Sequence, residues 1–304
     1  MLNWISLTLI SAVLLGAYDI AKKNAVTGNA VPAVLLLSVT VSAVIYLIPI
    51  SISLIFPESI ASWRPLIEPN FMHHLLLVLK AAIVAASWVC AYFAIKHLPI
   101  SIAMPIRTTS PVWTIMMATI LVGERPDAIQ WLGMIVIIFG FLLFSRVGAD
   151  EGIHFRSDRW VWLIIAATGF GAISGIYDKY LLQTVGIRPI VVQAWFSIYL
   201  VPVLFPLAAY WYLFDRDTTP FQWRWSIPMI TVLLLGADFI YFTAISDPDA
   251  LISIISPLRR TSVIVAFIYG IIGLGEKNWF SKSVCILVIL VGAIVLSLSS
   301  TTTN

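Results

Sequence analysis

The sequence predicts an all-α, polytopic membrane protein whose ten transmembrane helices form two inverted five-helix repeats. Three observations carry that expectation. Of 304 residues, 60% are apolar and 11% charged, against roughly 45–50% and about 25% in a soluble domain. The apolar residues fall into ten segments bounded by charge, Pro or Gly, and a block of the first half recurs in the second at a fixed offset. A spanning helix takes about 20 mostly apolar residues, so ten spans use roughly 200 and leave about 100 for loops and tails. No room remains for a soluble domain, and the most polar stretch, Ser145 to Arg159, is too short to fold alone.

The expected spans are 3–21, 31–56, 71–95, 100–122, 128–145, 160–182, 190–214, 226–245, 250–273 and 280–299. The first run follows Met1-Leu2-Asn3, which lacks the basic leader of a secretory signal, so it is expected to be a retained span. A β-barrel strand would alternate apolar and polar residues, whereas Trp131 to Phe144 and Val284 to Leu298 are apolar on every face. Trp4, Trp63, Trp160, Trp162, Trp223, Trp225 and Trp279 cluster near the expected ends, where an amphipathic ring is most stable. Cys90 and Cys285 lie inside apolar runs and read as small buried side chains. The net charge of +3 comes with no exposed basic run, so no nucleic-acid partner is expected. His73, His74, His97 and His154 lack ligand spacing, and no metal or other cofactor is expected.

The repeat is explicit in the residues. Ile102-Ala103-Met104-Pro105-Ile106-Arg107-Thr108-Thr109-Ser110 with Gly123-Glu124 aligns with Ile254-Ile255-Ser256-Pro257-Leu258-Arg259-Arg260-Thr261-Ser262 with Gly275-Glu276. Pro105 and Pro257, Arg107 and Arg259, and Glu124 and Glu276 all differ by 152. Gly16-Ala17-Tyr18-Asp19 matches Gly175-Ile176-Tyr177-Asp178 at an offset of 159. The chain therefore reads as a first unit over 1–146, a linker over 147–159 and a second unit over 160–304. Five is odd, so the second unit enters the membrane from the opposite side, the inverted repeat of secondary transporters.

Residues 94–144, with a Pro-bearing fourth helix, Gly123-Glu124 at its end and Gly133 and Gly140 in the fifth, resemble the EamA-type domain of the drug/metabolite transporter superfamily. Residues 244–298 resemble it again, and Gly16 followed by Lys22 fits the first helix of that family. The resemblance implies ten helices, a central cavity lined by helices one to four of each repeat, and fifth helices packed together at the periphery. Tyr-Asp in both repeats and Arg259-Arg260 depart from the common pattern.

Ionisable residues inside a bilayer are costly and mark a pathway or a pair. The basic candidates are Lys22, Lys23, Lys80, Arg107, Lys179, Arg259 and Arg260, and the acidic ones Asp19, Asp178 and Asp238, seven bases against three acids. Arg107 and Arg259 are repeat mates at mid-helix, and a guanidinium offers a planar fork that fits carboxylate or phosphate. The competing reading of each is an ion pair with an Asp of the first or sixth helix. Asp19 has Lys22 and Lys23 on its own helical face, and local pairing accounts for them; the repeated Tyr18-Asp19 and Tyr177-Asp178 instead points to a gate or proton-binding pair. Lys80 and Asp238 have no repeat mates; they orient the substrate or pair with each other. Trp88, Tyr92 and Tyr241 are expected to wall the cavity. Gly-Glu at 123–124 and 275–276 reads as a helix stop, with the acid complementing the dipole of the next helix.

The basic excess favours an organic anion or zwitterion carried by a secondary transporter, driven by a proton or by exchange, because no phosphate-binding glycine loop is present. Asp238 is the expected coupling residue, since desolvation at mid-helix favours its neutral form unless a base lies beside it. A lipid or lipid-phosphate flippase shares the expected fold. An intramembrane aspartyl protease would need Gly-x-Gly-Asp, and Leu235-Gly236-Ala237-Asp238 lacks the first glycine. The expected setting is the cell membrane, the inner membrane in a Gram-negative cell, as a monomer or homodimer surrounded by lipid. Loops one, three, five, seven and nine carry most of the Lys and Arg, which places both termini outside by the positive-inside rule, whereas the resemblance implies cytoplasmic termini.

Overall fold

In the computed structural model the described residues are 4–55, 70–122, 127–245, 255 and 258–298. They are all-α among helices and connecting turns. The elements are α1 (Trp4–Val26), α2 (Val31–Ile55), α3 (Phe71–His97), α4 (Ile100–Thr108), α5 (Ser110–Val122), α6 (Ala128–Asp150), α7 (Arg159–Lys179), α8 (Pro189–Tyr210), α9 (Ser226–Ile245), α10 (Ser262–Leu274) and α11 (Trp279–Leu298). Single π-helical segments, Tyr180–Thr184 and Trp211–Asp215, extend α7 and α8. Among the described residues, seven helical stretches are long and apolar enough to cross a membrane: α1, α2 over 31–52, α3, α6, α7 with its extension, α8 with its extension, and α9. This is a multi-pass membrane protein. Gly123-Glu124, Arg125, Trp63, Ile254, Ser256 and Pro257 lie outside the described residues.

Several boundaries differ from expectation: α1 runs on to Val26 and α3 to His97, and two further differences matter more. Helix α6 continues to Asp150, past the expected span end at 145, and α7 begins at Arg159. The expected span 100–122 is two helices separated at Thr109. Pro111 supplies no N–H to the carbonyl of Arg107, and Pro105 supplies none to that of Ser101. The hydroxyls of Thr108 and Thr109 then donate back to Pro105 O and Ile106 O, at 2.6 and 2.7 Å. In the second half, residues 258–260 form a helical turn that breaks at Thr261 before α10 begins, at the repeat position of Thr109.

Lipid is as apolar as Leu, so burying apolar area does not bring membrane helices together; close packing at small residues and hydrogen bonds to carbonyls does. The contacts follow that rule. Helix α6 lies on α11, where a Cβ on Gly292 would meet Ile137 N at 2.9 Å and Gly133 O at 3.0 Å. Helix α1 lies on α9, with Ser11 donating to Ala237 O at 2.7 Å, and on α10, where Gly16 faces Val265 and Ser262 O. Helix α3 lies on α7, with Ser87 donating to Ala167 O at 2.8 Å. Helix α2 packs on α8 and α9, and Thr231 donates to Ser38 O at 2.7 Å.

The α6–α11 seam gives a direct test. Gly292→Val puts side chain against backbone that cannot yield, and overpacking of this kind costs about 1–3 kcal/mol. Thermal unfolding in detergent should show a clear drop for that variant. Gly169→Ala, whose Cβ would meet nothing nearer than Trp113 at 3.8 Å, should melt like the parent.

Candidate functional site

A cavity of about 160 Å³ lies between α1, α3, α4, α7, α8, α9 and the 258–260 turn. At about 10–15 Å³ per water on this measure, that is room for on the order of ten waters or one small molecule. Its polar border contains Lys80, Arg107, Arg259 and Arg260, with Asp178 and Asp238, and its aromatic border Tyr18, Trp88, Phe196, Tyr241 and Phe242. Four cations thus face two carboxylates. Helix α7 contributes Ala167, Gly171, Ser174 and Asp178, spaced by four, three and four residues and so on one helical face.

The charges are arranged in three groups. Arg259 Nη2 donates to Asp238 Oδ1 at 2.5 Å, and its guanidinium lies over the Tyr241 ring at 3.8 Å. Lys80 Nζ pairs with Asp178 Oδ1, its ammonium 4.8 Å from the Phe196 ring centroid. Lys22 Nζ donates to Asp19 Oδ1 at 2.5 Å, and the same oxygen lies 3.5 Å from Arg107 Nη1. Arg260 borders the cavity near Arg107 and Arg259, and its Nε has no hydrogen-bond partner among the described residues.

This corrects several expectations. Lys80 and Asp238 do not pair with each other; each has another partner. Asp238 is not a lone carboxyl, because Arg259 lies beside it. Asp178 is held by Lys80 of α3, across two helices. Lys22 keeps the expected pairing with Asp19 and is fully buried under the Tyr18 ring, with Tyr92 beyond at 5.5 Å. Lys23 turns away from Asp19 and donates to Ile95 O and Leu98 O at 2.8 and 2.6 Å. Tyr92 and Asp19 stand behind the cavity border, and Tyr177 faces α3, donating to Leu76 O at 3.1 Å. No proton-sharing carboxylate dyad is formed by Asp19, Asp178 and Asp238, since each faces a base. Glu276 does not serve the helix that follows it: its carboxylate accepts from Ile100 N and Ser101 N, at 2.9 and 3.0 Å, at the start of α4.

Sequence reasoning missed Phe196, Phe242, Ser87, Thr168 and the small face of α7. The last was legible: small residues recurring at helical spacing on the face of Asp178 mark a surface that leaves room beside a charge. Phe196 and Phe242 carry no signal among the many aromatic residues of this chain.

The charged cavity thus lies inside a bundle of helices long and apolar enough to cross a membrane. Residues 2–146, just under half of the chain, match the EamA-like transporter family. The pseudopaline exporter CntI of Pseudomonas aeruginosa, from strains UCBPP-PA14 and PAO1, is 31% identical over 72 residues, 23% of this chain and 25% of that protein. The alignment thus spans a quarter of the exporter's length. A solved crystal structure aligns over 98% of this chain and 99% of its own at a TM-score of 0.63 and 15% identity, a likeness of fold.

Removing one member of a buried ion pair leaves the other uncompensated and costs about 3–5 kcal/mol, whereas replacing both by apolar groups is close to neutral. Lys80→Met should therefore lower the melting temperature strongly, and Lys80→Met with Asp178→Leu should recover most of the loss.

Proposed function

We propose that the protein is a secondary transporter that moves a small organic anion or zwitterion across the cell membrane by alternating access, with the substrate between Arg107 and Arg259. The observation that carries this reading is the charge of the cavity, where Lys80, Arg107, Arg259 and Arg260 outnumber Asp178 and Asp238. Lys22 and Asp19 behind it offset each other. Such a surplus repels cations and attracts anions in a low-dielectric site. Lys80 and Arg260 assist, Tyr18, Trp88 and Tyr241 contact the substrate, and Tyr92, Tyr177, Asp19 and Asp178 hold those groups in place.

Ten spans in two inverted units, 1–146 and 160–304, support the mechanism. The packing agrees with a twofold relation: α1 on α9 corresponds to α7 on α3, α2 on α9 to α8 on α3, and α1 on α10 to α7 on α5, while α2–α8 and α6–α11 are pairs of mates. The matched breaks at Thr109 and Thr261 agree as well.

Coupling runs through Asp238. A proton on its carboxyl releases Arg259 for the substrate, so proton and anion enter together; without a proton, exchange of one anion for another performs the same release. Reconstituted vesicles test both parts, with efflux assayed first because the partial relative is an exporter. Arg107→Lys and Arg259→Lys keep the charge but lose the fork, and each should lower transport about tenfold or more. Near-normal transport by Arg107→Ala would refute the site. Asp238→Asn should abolish accumulation while leaving exchange, and pH-independent transport in the parent would leave exchange alone.

A further inference from the structure

One end of the bundle is cross-linked by polar contacts among residues that do not border the cavity. Lys23, at the end of α1, donates to the carbonyls of Ile95 and Leu98 that finish α3. Glu276 accepts from the first two amides of α4. Lys282 of α11, fully buried, donates to Ser101 Oγ and pairs with Glu151 at the end of α6, both at 2.8 Å. Arg224 donates to Asn24 O and Thr27 O at 2.6 and 2.7 Å, and Tyr269 to Asn24 Oδ1 at 3.0 Å. The cavity lies away from this end: along α7 it runs from Ala167 to Asp178, and along α9 from Leu234 to Phe242, the halves remote from the tied loops.

The contact of Glu276 is the one that joins α10, in the second half, to the helix bearing Arg107. Gly275 adopts φ +65°, which reverses the chain after α10, and Glu276 N–H donates to Gly270 O at 3.0 Å. The carboxylate is thereby aimed back along α10 at α4. Pro99, the cap residue of α4, makes no side-chain cap, so the carboxylate supplies the acceptor and the negative charge that a helix N-terminus favours. Fit is tight: a Cβ on Gly270 would lie 3.0 Å from Glu276 Oε2 and 3.0 Å from Ile100 Cγ2.

We propose that Glu276 is a gate latch: by capping α4 from α10 it holds this end of the transport path closed and fixes the helix that carries Arg107. Opening toward this end requires α4 and α10 to part, which breaks both charge-assisted bonds. The latch rests on the alternating-access reading, but its test needs no substrate, so the two fail separately.

The test uses the full chain in vesicles, with Cys90 and Cys285 replaced by Ala and one reporter, Ser174→Cys, on the cavity wall. An exposed Ser157→Cys in a parallel sample marks the face on which the latch lies. A membrane-impermeant thiol reagent added at that face should label Ser174→Cys slowly in the parent and about tenfold faster or more with Glu276→Gln. No gain of labelling in a folded Glu276→Gln variant overturns the latch. Should that variant fail to fold, Gly270→Ala, which wedges the contact and keeps the carboxylate, decides by the same criterion.

Discussion

Every other feature of the site depends on the cost of keeping charge inside a membrane. An isolated carboxylate or ammonium there takes a partner or gives up its charge. Asp19, Asp178 and Asp238 each take a base, and the bases come from α1, α3, α4 and the turn before α10. The distribution has a direction. Both carboxylates that face an arginine belong to the packed pair α1–α9, whereas the α3–α7 pair neutralises itself through Lys80 and Asp178. One wall therefore holds the arginines by charge and the other does not.

The same solvent dictates how the helices meet. Gly16, Gly140 and Gly292 let backbones approach, and Ser11, Ser87 and Thr231 spend their hydroxyls on carbonyls of the neighbouring helix. On α7 the small residues serve differently: Gly171 and Ser174 face the cavity, so the space beside Asp178 exists because those side chains are small. Packing and site are thus written in one residue class, and only helical register separates them.

The helices were legible because apolar runs of span length have one reading in a chain this poor in charge, and Arg107 and Arg259, which recur at one offset, do border one cavity. Partner choice was not. Asp178 has Lys179 beside it in sequence yet pairs with Lys80, 98 residues away, because consecutive residues on a helix point about 100° apart and only tertiary packing brings α3 to α7. Lys22 and Lys23 look alike in sequence and do opposite things: one is sealed under Tyr18 with Asp19, the other caps the carbonyl end of α3. The second Gly-Glu, Gly275-Glu276, was read correctly as helix-end chemistry but on the wrong helix, since sequence gives the adjacent N-terminus and only the fold brings that of α4.

The break at Thr109 links these points. A continuous helix would bond the carbonyl of Arg107 four residues on, and Pro111 forbids it, so the chain pivots beside the arginine. Above the pivot α5 packs on α7; below it α4 is held by α10 and the carboxylate of Glu276. Arg107 consequently sits where two rigid pieces meet, with Asp19 at 3.5 Å, a longer approach than the 2.5 Å of Asp238 to Arg259. The longer pair is the easier one for an incoming anion to displace. The difference has a visible cause: the Asp19 oxygen that faces Arg107 is also bound by Lys22 at 2.5 Å, whereas Asp238 has Arg259 at that distance. The matched Tyr-Asp pairs repeat in sequence but their charge partners do not, since Asp19 is held by Lys22 of its own helix and Asp178 by Lys80 of α3.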